Sequence, residues 1–119
     1  MPMLTIRHAQ MSALRRTRLV AFFERAQAFI ADRLHTPVTL TAIETMYERG
    51  KLYALHSEQD FVRYMFVRVA VGAPIEAADP DWMRAILEVP TPSNALKLHR
   101  LFDEAQKHVA PSVAGLHQP

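Results

Sequence analysis

Nucleophilic catalysis needs a positioned hydroxyl or thiol, a base within reach and a group that orients the base. The sequence holds no cysteine, so thiolate nucleophiles, thiolate metal sites and disulfides are excluded. Its serines are Ser12, Ser57, Ser93 and Ser112, and none lies in a Gly-x-Ser-x-Gly elbow. Ser57 stands just ahead of Glu58 and an apolar run, which is the place of a helix cap. The histidines are His8, His35, His56, His99, His108 and His117. No two are three or four residues apart, the spacing that sets two metal ligands on one helical face. Of the paired carboxylates, Asp79/Asp81 reads as helix capping with dipole compensation, and Asp103/Glu104 as a solvated face. The three glycines are isolated, so no loop is built to cradle a phosphate. The expectation is a chain that catalyses no reaction and holds no cofactor and no metal.

Charge is unevenly placed. Residues 1–40 carry Arg7, Arg15, Arg16, Arg18, Arg25 and Arg33 against Glu24 and Asp32, a net of +4. Residues 41–119 carry eight basic and ten acidic side chains, a net of −2. The run Arg15-Arg16-Thr17-Arg18 could contact phosphates. Only Arg15 and Arg18 of that run share a helical face, however, and no recognition helix follows a tight turn. Nucleic acid is therefore not the expected partner.

Arg15 and Arg18 are unusual for another reason. At 100° per residue they fall inside an apolar arc, between Met11, Leu14 and Phe22. Arg68 sits likewise between Phe61 and Met65. Two readings follow. The arginines either snorkel from the edge of a core, or mark an exposed interface, where arginine beside Met and aromatic residues is enriched. On the second reading Met11, Leu14, Arg15, Arg18 and Phe22 form a surface for a protein partner or a second copy of the chain. A helix of about 27 residues would be roughly 40 Å long, whereas a compact domain of this size has a radius of gyration near 14 Å. Part of such a helix must overhang.

The remaining composition bounds the fold. The chain has 119 residues, half of them hydrophobic and 22% charged, an ordinary globular balance. That length predicts one domain, over 1–109, burying roughly two-thirds of its unfolded surface. Residues 110–119 lack periodicity and are expected to form a flexible tail. Arg15–Arg18 is followed by only five apolar residues before Glu24, too few for a signal peptide. The longest greasy stretch, Tyr64–Ile75, is interrupted by Arg68 and is too short to span a bilayer. A cytoplasmic protein without a membrane span is expected.

The elements that must position these residues read as five helices in an all-α fold. The first runs from about Arg7 to Leu34, with Leu19, Phe22, Phe23, Ala26, Phe29 and Ile30 on one arc. Thr36-Pro37 stops it, because proline disfavours helical geometry in the residue before it. The second starts at Thr41, where Thr41-x-x-Glu44 has capping-box spacing, and continues toward His56. Gly50 inside it predicts a kink or the close approach of another helix. The third runs over 58–71, capped by Ser57 and closed by Gly72. Being apolar almost all round, it is expected at the centre, with Phe61, Met65 and Val69 buried. Asp79-Pro80 predicts the cap and first residue of a short fourth helix that turns Trp82, Ile86 and Leu87 inward. The last starts near Pro92 or Ser93 and carries Leu98, Phe102, Ala105 and Val109 on one stripe.

Three segments also carry a resemblance. They are Leu4-Thr5-Ile6-Arg7-His8-Ala9-Gln10-Met11-Ser12-Ala13-Leu14, the block from Gly50-Lys51-Leu52-Tyr53 through Phe61-Val62-Arg63-Tyr64-Met65 to Gly72, and Trp82-Met83-Arg84-Ala85-Ile86-Leu87. Together, over about Leu4–Val109, the chain resembles small helical proteins of uncharacterised function encoded in bacterial type VI secretion clusters. Neighbours of that family are toxic effectors, spike-tip proteins and effector adaptors. The resemblance implies an accessory protein of type VI secretion, a chaperone or adaptor whose partner is an effector or a spike-associated protein. An immunity protein that neutralises an effector is the alternative within the same setting. It would often be acidic against a basic nuclease, and this chain is slightly basic. A small nucleic-acid-binding regulator is the alternative of a different class.

Overall fold

In the computed structural model, residues 2–90 and 93–108 are described, with side chains from Ala13 onward. The chain is all-helical, with five helices in the order α1 (Pro2–Leu34), α2 (Leu40–Leu52), α3 (Glu58–Val71), α4 (Asp81–Leu87) and α5 (Asn94–His108). No strand occurs among the described residues. None of these helices is long and apolar enough to cross a membrane. Val109 and the tail 110–119 lie outside the described residues.

Local chemistry sets the helix ends. α1 ends where His35 takes a positive φ of 51° and Pro37 follows. The cap of α2 is Thr39, whose hydroxyl accepts from Ala42 N–H at 3.0 Å. The helix thus begins ahead of the expected Thr41-x-x-Glu44 box, because Thr39 offers its oxygen first. α2 also stops short of His56. Leu55 N–H bonds to Gly50 O and Ala54 N–H to Lys51 O, both at 3.0 Å, while Ala54 stands at φ 64°. This is a Schellman ending built on alanine instead of the usual glycine.

α3 matches its expected span. Ser57 Oγ accepts from Asp60 N–H at 3.0 Å, Glu58 and Asp60 occupy the first turn, and Gly72 closes the helix at φ 82°. α4 departs from expectation. Its cap position is Pro80, with no side-chain cap, and its first residue is Asp81. Asp79 is not a cap, because its carboxylate is drawn inward to partners described below.

One core joins all five helices. α1 contributes Phe22, Phe23, Ala26 and Ile30; α2, Ile43 and Met46; α4, Met83 and Leu87; α5, Leu98, Leu101, Phe102 and Ala105. α3 buries Phe61, Tyr64, Met65, Phe66 and Val67, while Val62 and Val69 are half-buried at its flank. It packs against α1, α2 and α5, whereas α4 rests chiefly on α5. The expectation of an apolar helix with Phe61, Met65 and Val69 buried is corrected at two places: Arg68 is fully buried on α3, and Val69 is only half-buried at the edge of the core.

The ends of the molecule are tied differently. Trp82 is half-buried and stacks face to face on His108, with ring centroids 4.4 Å apart and planes within 7°. At the other end of α5, Lys97 is buried and its Nζ donates to Tyr53 O at 3.0 Å. Asn94 Nδ2 donates to Ala54 O at 3.0 Å. A cation and an amide thus serve the carbonyl end of α2, where the helix dipole is negative.

Candidate protein-binding groove

The 33 residues of α1 make a rod about 50 Å long. The molecule measures 57 × 32 × 25 Å, with a Cα radius of gyration of 16.1 Å, larger than a compact chain of this length would have. Every side chain from Ala13 to Arg18 is exposed, including Leu14 at 58%. Among the described side chains of α1, from Ala13 onward, Phe22 is the first to be buried. The expected overhang therefore exists, and Leu14, Arg15 and Arg18 are on it. Phe22 is not presented: it is 3% exposed, because α2 and α3 close over it. Of Met11, the side chain lies outside the described residues.

At the root of the overhang a hollow of about 420 Å³ is lined by Arg15, Arg18, Leu19, Phe22, Tyr47, His56, Glu58 and Phe61. Tyr47 of α2 is its keystone. Its ring lies 4.6 Å from Phe61 of α3 and 5.2 Å from Phe23 of α1, centroid to centroid. A second hollow of about 340 Å³ continues along α1 and α3, lined by Phe22, Arg25, Ala26, Phe29, Glu58, Gln59, Val62 and Arg63. The two share Phe22 and Glu58, so they form one groove between α1 and α3. The Arg25 Nη2–Glu58 Oε1 bridge, 2.9 Å long with both side chains exposed, crosses it. Arg15 and Arg18 have no carboxylate within 4 Å among the described residues. Sequence spacing could place only the α1 wall of this groove. Tyr47, His56, Glu58 and Phe61 come from elsewhere in the chain, and no local pattern announces that they converge.

The angle between α2 and α3 is fixed by a buried cluster around Asp79. Its Oδ2 accepts from Tyr53 OH and Tyr64 OH, each at 2.7 Å. Its Oδ1 accepts from Arg68 Nε at 2.8 Å and Arg49 Nη1 at 3.1 Å. Arg68 spends its remaining donors on Ala73 O, Pro74 O and Ala77 O at 3.1, 2.7 and 3.4 Å, and Arg49 Nη2 reaches Ile75 O. Burial first, and the hydrogen bond to Asp79 second, push the phenol pKa of both tyrosines well above its ordinary value. Neither reading of Arg68 made from sequence holds: it neither snorkels nor faces a partner. Its signal was Tyr64, four residues earlier on the same face of a run otherwise too greasy for a free guanidinium.

Asp103 and Glu104 sit toward the end of α5, where Glu104 meets Lys107 and His108 at 3.4 and 3.3 Å. Hydrogen bonds from His108 first, and from Lys107 second, hold the Glu104 carboxyl below its ordinary pKa. Among the described residues no group of three or more His, Asp or Glu converges as a metal site would require. No protein-family model matches the chain, and neither a curated protein nor a solved structure matches it.

Proposed function

We propose that the chain is a non-catalytic protein-binding module whose working surface is the overhanging part of α1 together with the groove at its root. The observation that carries this reading is the run Ala13–Arg18, wholly exposed on a helix that outruns its core, standing over a groove that presents half-buried Leu19 and Tyr47 in front of buried Phe22 and Phe61. A helical run as exposed as Ala13–Arg18 gains its stability from packing, and a docked partner supplies it. Given the resemblance to proteins of type VI secretion clusters, the module serves in the bacterial cytoplasm as a chaperone or adaptor that holds a toxic effector for loading.

Co-purification of the tagged chain from its native host tests this. A toxic effector or spike-tip protein should be recovered in stoichiometric amount. Arg15→Glu with Arg18→Glu should abolish that recovery while helicity and Tm are retained. Suppression of the effector's toxicity by the chain alone would make it an immunity protein. A salt-dependent complex with random duplex DNA, and no recovered protein, would replace the reading altogether.

A further inference from the structure

Resting on that reading, we infer that the α1/α3 groove takes an acidic amphipathic helix of the partner, its apolar face on the groove floor and its carboxylates on Arg15, Arg18 and Arg63. Charge is the first argument. α1 carries no acidic residue before Glu24, so the overhang is purely cationic. Farther along the groove, Arg63 Nε is buried without a hydrogen-bond partner. A buried guanidinium donor left unpaired is costly, and Arg63, half-buried as a residue, relieves it by turning toward an arriving carboxylate. Arginine suits this task because its planar fork takes a carboxylate in two parallel hydrogen bonds.

Shape is the second argument. From Arg15 to Phe29 the groove follows α1 for roughly 21 Å, the length of about four helical turns, and its accessible apolar surface is half-buried Leu19 and Phe29 with Val62 opposite, backed by buried Phe22 and Ala26. That is the form of a helix-in-groove site. A second copy of the chain is the poorer occupant if it offers its own α1, since arginine would then face arginine.

Glu58 completes the argument. It is the acidic residue of the groove lining, and it holds Arg25 in an exposed ion pair. Such a pair opens at little cost, and an entering carboxylate competes with Glu58 for Arg25. Glu58 therefore weakens the binding of acidic ligands. Its removal should strengthen it, which a merely structural residue would not do.

The test selects binders from a displayed library of random peptides, about four helical turns long, on the intact full-length chain. The expected result is enrichment of sequences with Asp or Glu on one helical face and Leu, Met or Phe on the other. A selected peptide should lose about tenfold or more in affinity on Arg15→Gln with Arg18→Gln, and keep most of it on Arg15→Lys with Arg18→Lys. It should gain severalfold on Glu58→Gln. Enrichment of basic or uncharged sequences, or binding unchanged by the Arg→Gln pair, overturns the inference while leaving a protein-binding module in place. Failure to select any peptide, together with failure to co-purify a partner, removes both. A peptide that binds only to a dimer by light scattering transfers the groove to a second copy of the chain.

Discussion

Arg68 donates through Nε to Asp79 Oδ1 at 2.8 Å, and solvent reaches neither side chain. Two arginines, Arg68 and Arg49, converge on this one carboxylate, so the cluster carries an excess positive charge. Three loop carbonyls dissipate it by accepting from Arg68. The loop 73–79 is therefore held down by the charge it neutralises, and α2 and α3 are locked together through their tyrosines and arginines.

Removing the acid should be severe. Asp79→Asn leaves Arg68 buried opposite a neutral amide, and breaking one side of a buried ion pair costs about 3–5 kcal/mol. Urea unfolding of the variant should show that loss. Arg68→Met should cost less, because Asp79 keeps Arg49 and both tyrosine hydroxyls. Equal losses at the two positions would mean that the pair is not the centre of the cluster.

The same tyrosines set an alkaline limit. In the folded chain their phenols ionise at higher pH than in the unfolded chain. Above the ordinary tyrosine pKa of about 10, the unfolded state releases protons that the folded state retains, so stability falls as pH rises. Below about pH 9 this contribution is fully present and flat. Urea midpoints measured from pH 8 to 11 (both about) should decline steeply at the alkaline end, and Tyr53→Phe with Tyr64→Phe should flatten the decline.

Gly50 separates intrinsic helix propensity from packing. A Cβ built there would lie 2.7 Å from Phe61 Cδ1 and Cε1, and 3.3 Å from Leu55 Cδ1. Alanine gains about 1 kcal/mol of helix propensity over glycine, yet Gly50→Ala should destabilise by about 1–3 kcal/mol through overpacking. Phe61→Leu in the same chain should recover part of the loss, leaving the two substitutions non-additive in thermal unfolding.

Two left-handed positions should respond in opposite directions. Ala54→Gly relieves an alanine held at φ 64° and should stabilise the chain by about 0.5–1 kcal/mol. Gly72→Ala meets no atom within 4 Å but must hold φ 82°, and should cost about 1 kcal/mol. Differential scanning calorimetry reads both as opposite shifts in Tm.

How far the sequence discloses all this depends on how local each cause is. Ser57, Gly72 and Pro37 act on their own helix ends, so the span of α3 and the stop of α1 are readable directly. The ending of α2 is not, since Leu52-Tyr53-Ala54-Leu55 contains no residue that favours a left-handed turn. Asp79 misleads because Asp-Pro is a sound helix start. Its true partners stand 11, 15, 26 and 30 residues away, beyond any spacing rule. The arginines of α1 were legible as an anomaly on the helical wheel. That Arg15 and Arg18 border a groove required α2 and α3 to be in place.

The stack of Trp82 on His108 supplies an optical consequence. The chain has a single tryptophan, and it lies on α4, which contributes nothing to the α1/α3 groove. Its emission comes from an indole pressed flat against the last residue of α5. Fraying of that final turn will alter the fluorescence while the rest of the core is intact, whereas a ligand seated against Tyr47 should leave it almost silent. The native chain thus carries its own reporter of end-fraying, spatially separate from the surface where a partner would dock.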